Sequence, residues 1–127
     1  MAYRQLIPLC DKIGVERIRV VIDDFYRRLA ADPDIGHHFE RIRDFEDHVN
    51  RIADFWYMNL GGRLDTPPTI DMVGKHAPLK LTETDLETWL RHFRATTEAH
   101  LEAPLAAEWQ QLAEGIASRM REDIIRG

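Results

Sequence analysis

Residues 45–60 read FEDHVNRIADFWYMNL. Phe45, Val49, Ile52, Trp56 and Leu60 step by 4, 3, 4 and 4. That period puts five apolar side chains on one face of a helix, and the Gly61-Gly62 pair stops it. The same period extends in both directions. Upstream, Ile18, Ile22, Phe25 and Leu29 form one helix face. Pro33 ends that helix, because Asp32, the residue before a proline, avoids helical backbone. Downstream, a third helix starts near Thr82, where Thr82 with Asp85, or Thr84 with Glu87, resembles a capping box. Its face is Leu86, Trp89 or Leu90, Phe93 and Leu101. Pro104 breaks it and suits the first turn of a fourth helix. Leu105, Trp109, Leu112, Ile116, Met120 and Ile124 form the expected face of that helix. No segment alternates with period two for long enough to be a strand. The expectation is an all-α chain of four main helices, with short extra pieces near residues 2–9 and 33–39.

One connection stands apart. Residues 61–81 hold Gly61-Gly62, Pro67, Pro68 and Pro78 with only scattered apolar residues. About 20 residues is long for a compact domain, where connections have a median of about 4–6. Such a segment is functional, disordered or a helix missed by periodicity, and it contains His76.

The composition narrows the function. The chain has 127 residues, the size of one domain (1–127), and is 44% hydrophobic and 31% charged, enough for a real core. Lys and Arg total 17 against 22 Asp and Glu, a net charge of −5, so the basic footprint of a nucleic-acid binder is absent. A single cysteine, Cys10, excludes an internal disulfide framework and fits a reducing compartment. No apolar run approaches the roughly 18 residues that span a bilayer, and the first ten residues do not read as a signal peptide. A cytoplasmic, monomeric domain with no membrane partner is expected.

Six histidines are present, but no H-E-x-x-H and no C-x-x-C, which argues against structural zinc. There is no glycine-rich phosphate loop and no G-x-S-x-G elbow, and Cys10 has no evident base. Four residues remain of interest. His48 lies on the edge of the 45–60 face, as a boundary histidine reaching water or as a ligand. Tyr26 follows Phe25 and is either an ordinary core tyrosine bonded to a carbonyl or a donor kept for something else. Trp89 carries a donor-only indole N–H, although core packing alone accounts for it. His76 is either an exposed loop histidine or a ligand to a metal or haem iron.

Taken in order, these stretches resemble the truncated haemoglobins, and most closely their group III (P-type) subfamily. Phe25-Tyr26 sits in the first long helix. Pro33-Asp34-Ile35-Gly36-His37-His38-Phe39 follows, with Phe39 similar to the phenylalanine that wedges against haem. His48 precedes Phe55-Trp56 as the family's distal histidine precedes a tryptophan. Gly74-Lys75-His76 before Trp89-Leu90-Arg91-His92-Phe93 resembles the proximal histidine before a W-L-x-x-F motif. Each piece is degenerate, but the ordered set across about residues 14–101 is specific. Group III members lack the family's glycine pairs, so Gly61-Gly62 is a partial departure.

The resemblance implies a two-over-two helical sandwich enclosing haem b (iron protoporphyrin IX), with the long connection leading to the proximal ligand. It makes His76 the iron ligand and Tyr26, His48 and Trp89 the distal donors to O2, NO or CO. Ile52 would close the pocket, Phe25, Phe39, Phe55, Trp56 and Phe93 would contact the macrocycle, and Arg51 would pair with a propionate. Charge-assisted donors at about 1.5–3 kcal/mol each suit ligand retention or redox chemistry better than O2 delivery. NO dioxygenation or peroxide reduction with an unidentified reductase would use the same site. A non-haem di-iron bundle is the remaining alternative. It needs Glu-x-x-His pairs, and Glu46-x-His48 and Glu98-x-His100 have the wrong spacing.

Overall fold

A computed structural model describes residues 7–40, 42–68 and 76–125. Among them the only regular elements are helical. Helix α1 spans Leu9–Ile13, α2 Val15–Ala31, α3 Phe45–Asn59, α4 Glu83–His100 and α5 Ala103–Met120. Short 3-10 turns cover Gly36–Phe39 and Ala77–Leu79, and a π turn, Arg121–Ile125, extends α5. The piece expected near residues 2–9 falls mostly on residues 1–6, which lie outside the described residues; α1 begins at Leu9, at the end of that stretch. So do Gly74, Lys75 and the rest of 69–75 in the long connection.

The boundaries follow local chemistry. Gly14 closes α1 and opens α2 with a φ of 93°, a conformation that costs a glycine nothing. Asp32 ends α2 in extended backbone (ψ 125°), as Pro33 requires. Asp44 caps α3 by accepting the Asp47 N–H at 3.0 Å. At α4 the capping box pairs Thr82 with Asp85. The Asp85 N–H donates to Thr82 Oγ1 at 3.1 Å and the Thr82 N–H to Asp85 Oδ2 at 3.0 Å.

Helix α2 packs on α3 and α4, α4 packs on α5, and α1 bridges α2 and α5. Ile18, Val21, Ile22, Phe25 and Leu29 form the fully buried face of α2. Deep in α4 two threonine hydroxyls are satisfied within the helix. Thr96 Oγ1 donates to the His92 carbonyl at 2.7 Å, and Thr97 Oγ1 to that of Phe93 at 2.9 Å. Gln110 of α5 donates to Thr97 Oγ1 at 2.9 Å, joining the two helices. No helix of the described residues is long and apolar enough to cross a membrane.

The buried face of α5 differs from the expected one. Trp109 and Met120 are buried as expected, but Leu112 is 43% exposed, and Leu105 and Ile116 are half-buried. Ala106, Ala113 and Ala117 line the interior instead. Leu105, Leu112 and Ile116 fall toward the edges of the face, and alanines sit beside Trp109 where α5 approaches its neighbours, a preference invisible to a pattern that counts only bulky side chains. The α-helix also ends at Met120. The π turn then brings Ile124 and Ile125 against Leu86, Ala117 and Met120.

Ala113→Leu is expected to destabilise the protein by about 1–3 kcal/mol through overpacking. Leu112→Ala should stay within about 0.5 kcal/mol. Urea unfolding of both variants tests the register of α5.

Candidate functional site

Three helices and one turn bring the singled-out residues together. Helix α2 contributes Phe25, which is buried, and Tyr26, which is half-buried. Because they are consecutive on a helix, one faces the core and the other its flank. Helix α3 contributes His48, Ile52, Phe55 and Trp56, and the turn after α2 contributes Phe39. Helix α4 contributes Trp89 and Phe93, which stack at 5.7 Å with only 14° between their rings.

The contacts form a continuous network. Tyr26 lies edge-on to His48, centroids 5.0 Å apart, and to Phe39 at 5.8 Å. Phe25 touches Tyr26 at 5.5 Å, Trp89 at 5.4 Å and Phe93 at 5.2 Å, all edge-to-face. Phe93 continues to Trp56 at 5.6 Å, which meets Phe55 at 5.7 Å. Ile52 packs on the same core. Burial pushes the Tyr26 phenol well above its ordinary pKa, so it keeps its proton and remains a donor.

His76, in helical conformation ahead of the Ala77–Leu79 turn, is half-buried, and Arg51 is exposed on α3. A cavity of about 250 Å³ is lined by Phe55, Asn59, Ile116, Arg119, Met120, Asp123 and Ile124. That is smaller than the roughly 300–1,000 Å³ of small-molecule and cofactor sites. Phe55 is the one sequence-predicted residue in that lining; Tyr26, His48 and His76 are outside it.

His92, His100 and His38 each meet a carboxylate. His92 Nε2 lies 2.7 Å from Asp32 Oδ2, His100 Nε2 2.8 Å from Asp24 Oδ2, and His38 Nε2 3.4 Å from Asp85 Oδ2. The bond from His92, then that from the Asp34 N–H, holds the Asp32 carboxyl below its usual range. At Asp24 burial pushes the other way, and the bonds from Arg28 and His100 outweigh it.

Two features lay beyond sequence reasoning. Arg119 reaches the cavity from a helix whose polar positions carry no distinguishing signal. Trp109, read as a face residue, is fully buried against Trp56 and Phe93 at 5.7 and 5.4 Å. Its indole N–H makes no hydrogen bond among the described residues. Only its partners distinguish it from any other core tryptophan.

A family model described as bacterial-like globin matches residues 8–122. The fold matches that of a 2/2 haemoglobin from Synechococcus, whose structure is a cyanomet state with covalently attached haem. The TM-score is 0.80 at 20% identity, covering 95% of this chain and 100% of that one. It also matches a haemoglobin from the thermophilic phototroph Chloroflexus aurantiacus. There the TM-score is 0.77 at 24% identity, covering 91% of this chain and 98% of that one. No curated protein matches the sequence.

The lowered Asp32 carboxyl sets an acid limit. A carboxylate with a depressed folded pKa adds stability above its unfolded value, near about 3.9, and loses it as pH falls through the folded value. Asp32→Asn keeps an acceptor but removes the charge. Wild-type urea midpoints should therefore fall more steeply than the variant's between about pH 5 and pH 2.5.

Proposed function

The chain belongs to the bacterial-like globin family, a haem-binding family, and on that footing we propose a group III truncated haemoglobin that retains diatomic ligands. The observation that carries this is the Tyr26–His48 ring contact at 5.0 Å, extended through Phe25 to Trp89. Three helices thereby gather three side chains able to donate a proton to one small acceptor.

The residues fit haem. His76 is the neutral imidazole for the iron, its other ring nitrogen needing an acceptor to fix the tautomer. Ile52, Phe25, Phe39, Phe55, Trp56 and Phe93 supply apolar surface. Arg51 and Arg119 supply cations for the propionates. Haem b, when bound, supplies an iron that takes O2, NO or CO. Tyr26, protonated at any physiological pH, holds its hydrogen toward a ligand that draws negative charge, and His48 and Trp89 add theirs. Ile52, one turn after His48, excludes water. Such a site retains its ligand and suits redox chemistry better than delivery. The protein is read as a single domain, monomeric and cytoplasmic, served by an unidentified reductase.

The same donors permit a second reading, NO dioxygenation or peroxide reduction, because polarised oxygen species are stabilised by the same hydrogen bonds. Among the described residues no group of His, Cys, Asp or Glu is gathered to hold a metal by itself. A non-haem di-iron site therefore has nothing to rest on there.

Addition of haem should give an intense Soret band that shifts under CO, and His76→Ala should lose that spectrum or most haem affinity. Loosely bound haem without a CO shift would overturn the reading. Tyr26→Phe should speed O2 release at least about tenfold, equivalent to about 1.4 kcal/mol. Stopped flow measures it, and an unchanged rate removes the phenol from the donor set. Steady-state turnover of NO or peroxide with a reductant separates the enzyme from the binding protein.

A further inference from the structure

Asp32 lies where the end of α2, the turn leading to Phe39 and helix α4 meet. Its backbone carbonyl accepts the Gly36 N–H at 2.8 Å, and its Oδ1 accepts the Asp34 N–H at 2.8 Å. Its Oδ2 faces α4, 2.7 Å from His92 Nε2 and 3.5 Å from the Arg91 guanidinium. One carboxylate oxygen thus builds the turn and the other fastens it to the helix. The outer end of the same turn has a second tie. His38 lies 3.4 Å from Asp85 Oδ2, the oxygen that accepts the Thr82 N–H in the α4 capping box.

The two ties bracket Trp89. Asp85 is four residues before it and His92 three after, so all three share one side of α4. The ties are also sheltered: Asp32 and Asp85 are 8% and 19% exposed, His92 and His38 21% and 11%. Polar contacts in open solvent contribute little, whereas shielded ones compete less with water. The stack of Trp89 on Phe93 and the edge contacts to Phe25 tolerate small rolls of α4 on α2. An indole N–H aimed at a ligand does not, because a hydrogen bond weakens steeply beyond about 3.2 Å or below about 120°.

We propose that the His92–Asp32 tie, seconded by His38–Asp85, positions Trp89 against Phe25 and Phe39 against Tyr26 and thereby sets how long the site holds its ligand. This rests on the reading of Tyr26 and Trp89 as ligand donors. His92 and Asp32 are positioning residues: they act through α4 and the turn and touch no ligand themselves.

The test compares His92→Phe, which breaks the tie, with His92→Gln, which keeps a donor for Asp32, in the full chain. Two readouts are taken: the Trp89 indole ¹H–¹⁵N resonance, assigned with Trp89→Phe, and the O2 release rate of the haem-loaded protein. His92→Phe should move the Trp89 resonance and speed release about tenfold. His92→Gln should restore the resonance and bring the rate within about threefold of wild type. A lower melting temperature with the resonance and rate unchanged would overturn the proposal and leave the tie merely structural. Should His92→Phe fail to fold, His38→Ala loosens the outer tie and should move the same resonance less far. No movement there overturns the proposal as well. Failure to take up haem would instead sink the haem reading, while the Trp89 resonance still reports on the tie.

Discussion

The edge-to-face contact of Phe25 on Phe93, 5.2 Å between centroids, is the constraint from which the rest of the molecule follows. It packs the centre of α2 against the centre of α4, and both rings are fully buried. Aromatic pairs of this geometry contribute about 0.5–1.5 kcal/mol beyond the area they bury. Phe93 then passes the packing to Trp56 and Trp109, and so to α3 and α5. With Phe25 committed to the interior, helix geometry leaves Tyr26 on the flank of α2, facing His48 and Phe39. The polar side of the site is therefore a consequence of how the apolar side packs.

A second constraint is electrostatic. Asp24, Asp32 and Asp85 each take one histidine, and all three histidines reach across between elements. These pairs stitch α2 and its following turn to α4, alongside the ring contacts in the interior. His92 and His100 share α4 and meet carboxylates of α2 and its end, while His48 lies edge-on to the Tyr26 ring.

Much of this was legible before any coordinates. The 3-4 stepping of Phe45 to Leu60 and of Ile18 to Leu29 located α3 and α2. Thr82-x-x-Asp85 marked the start of α4, because a cap is a contact within four residues. The family resemblance rested on ordered local motifs and pointed to Tyr26, His48 and Trp89, which the fold does gather into one network. The α5 face was misread at Leu112, since periodicity weighs bulky residues and the close approach of helices selects alanines. Arg119 and the burial of Trp109 were not legible, because each depends on what another helix places opposite.

The sequence by itself determined the helices, their caps and the apolar stripes, since those depend on residues within a turn or two of one another. It also determined which chemistry was available: three phenols, three indoles and six imidazoles, several of them on or beside apolar faces. Only the tertiary structure decided which histidines would be tied by carboxylates and which rings would meet. Those outcomes are set by contacts between residues up to 76 positions apart, as between Asp24 and His100. No local pattern encodes such a distance, because it exists only once α2 and α4 have packed on their shared aromatic core.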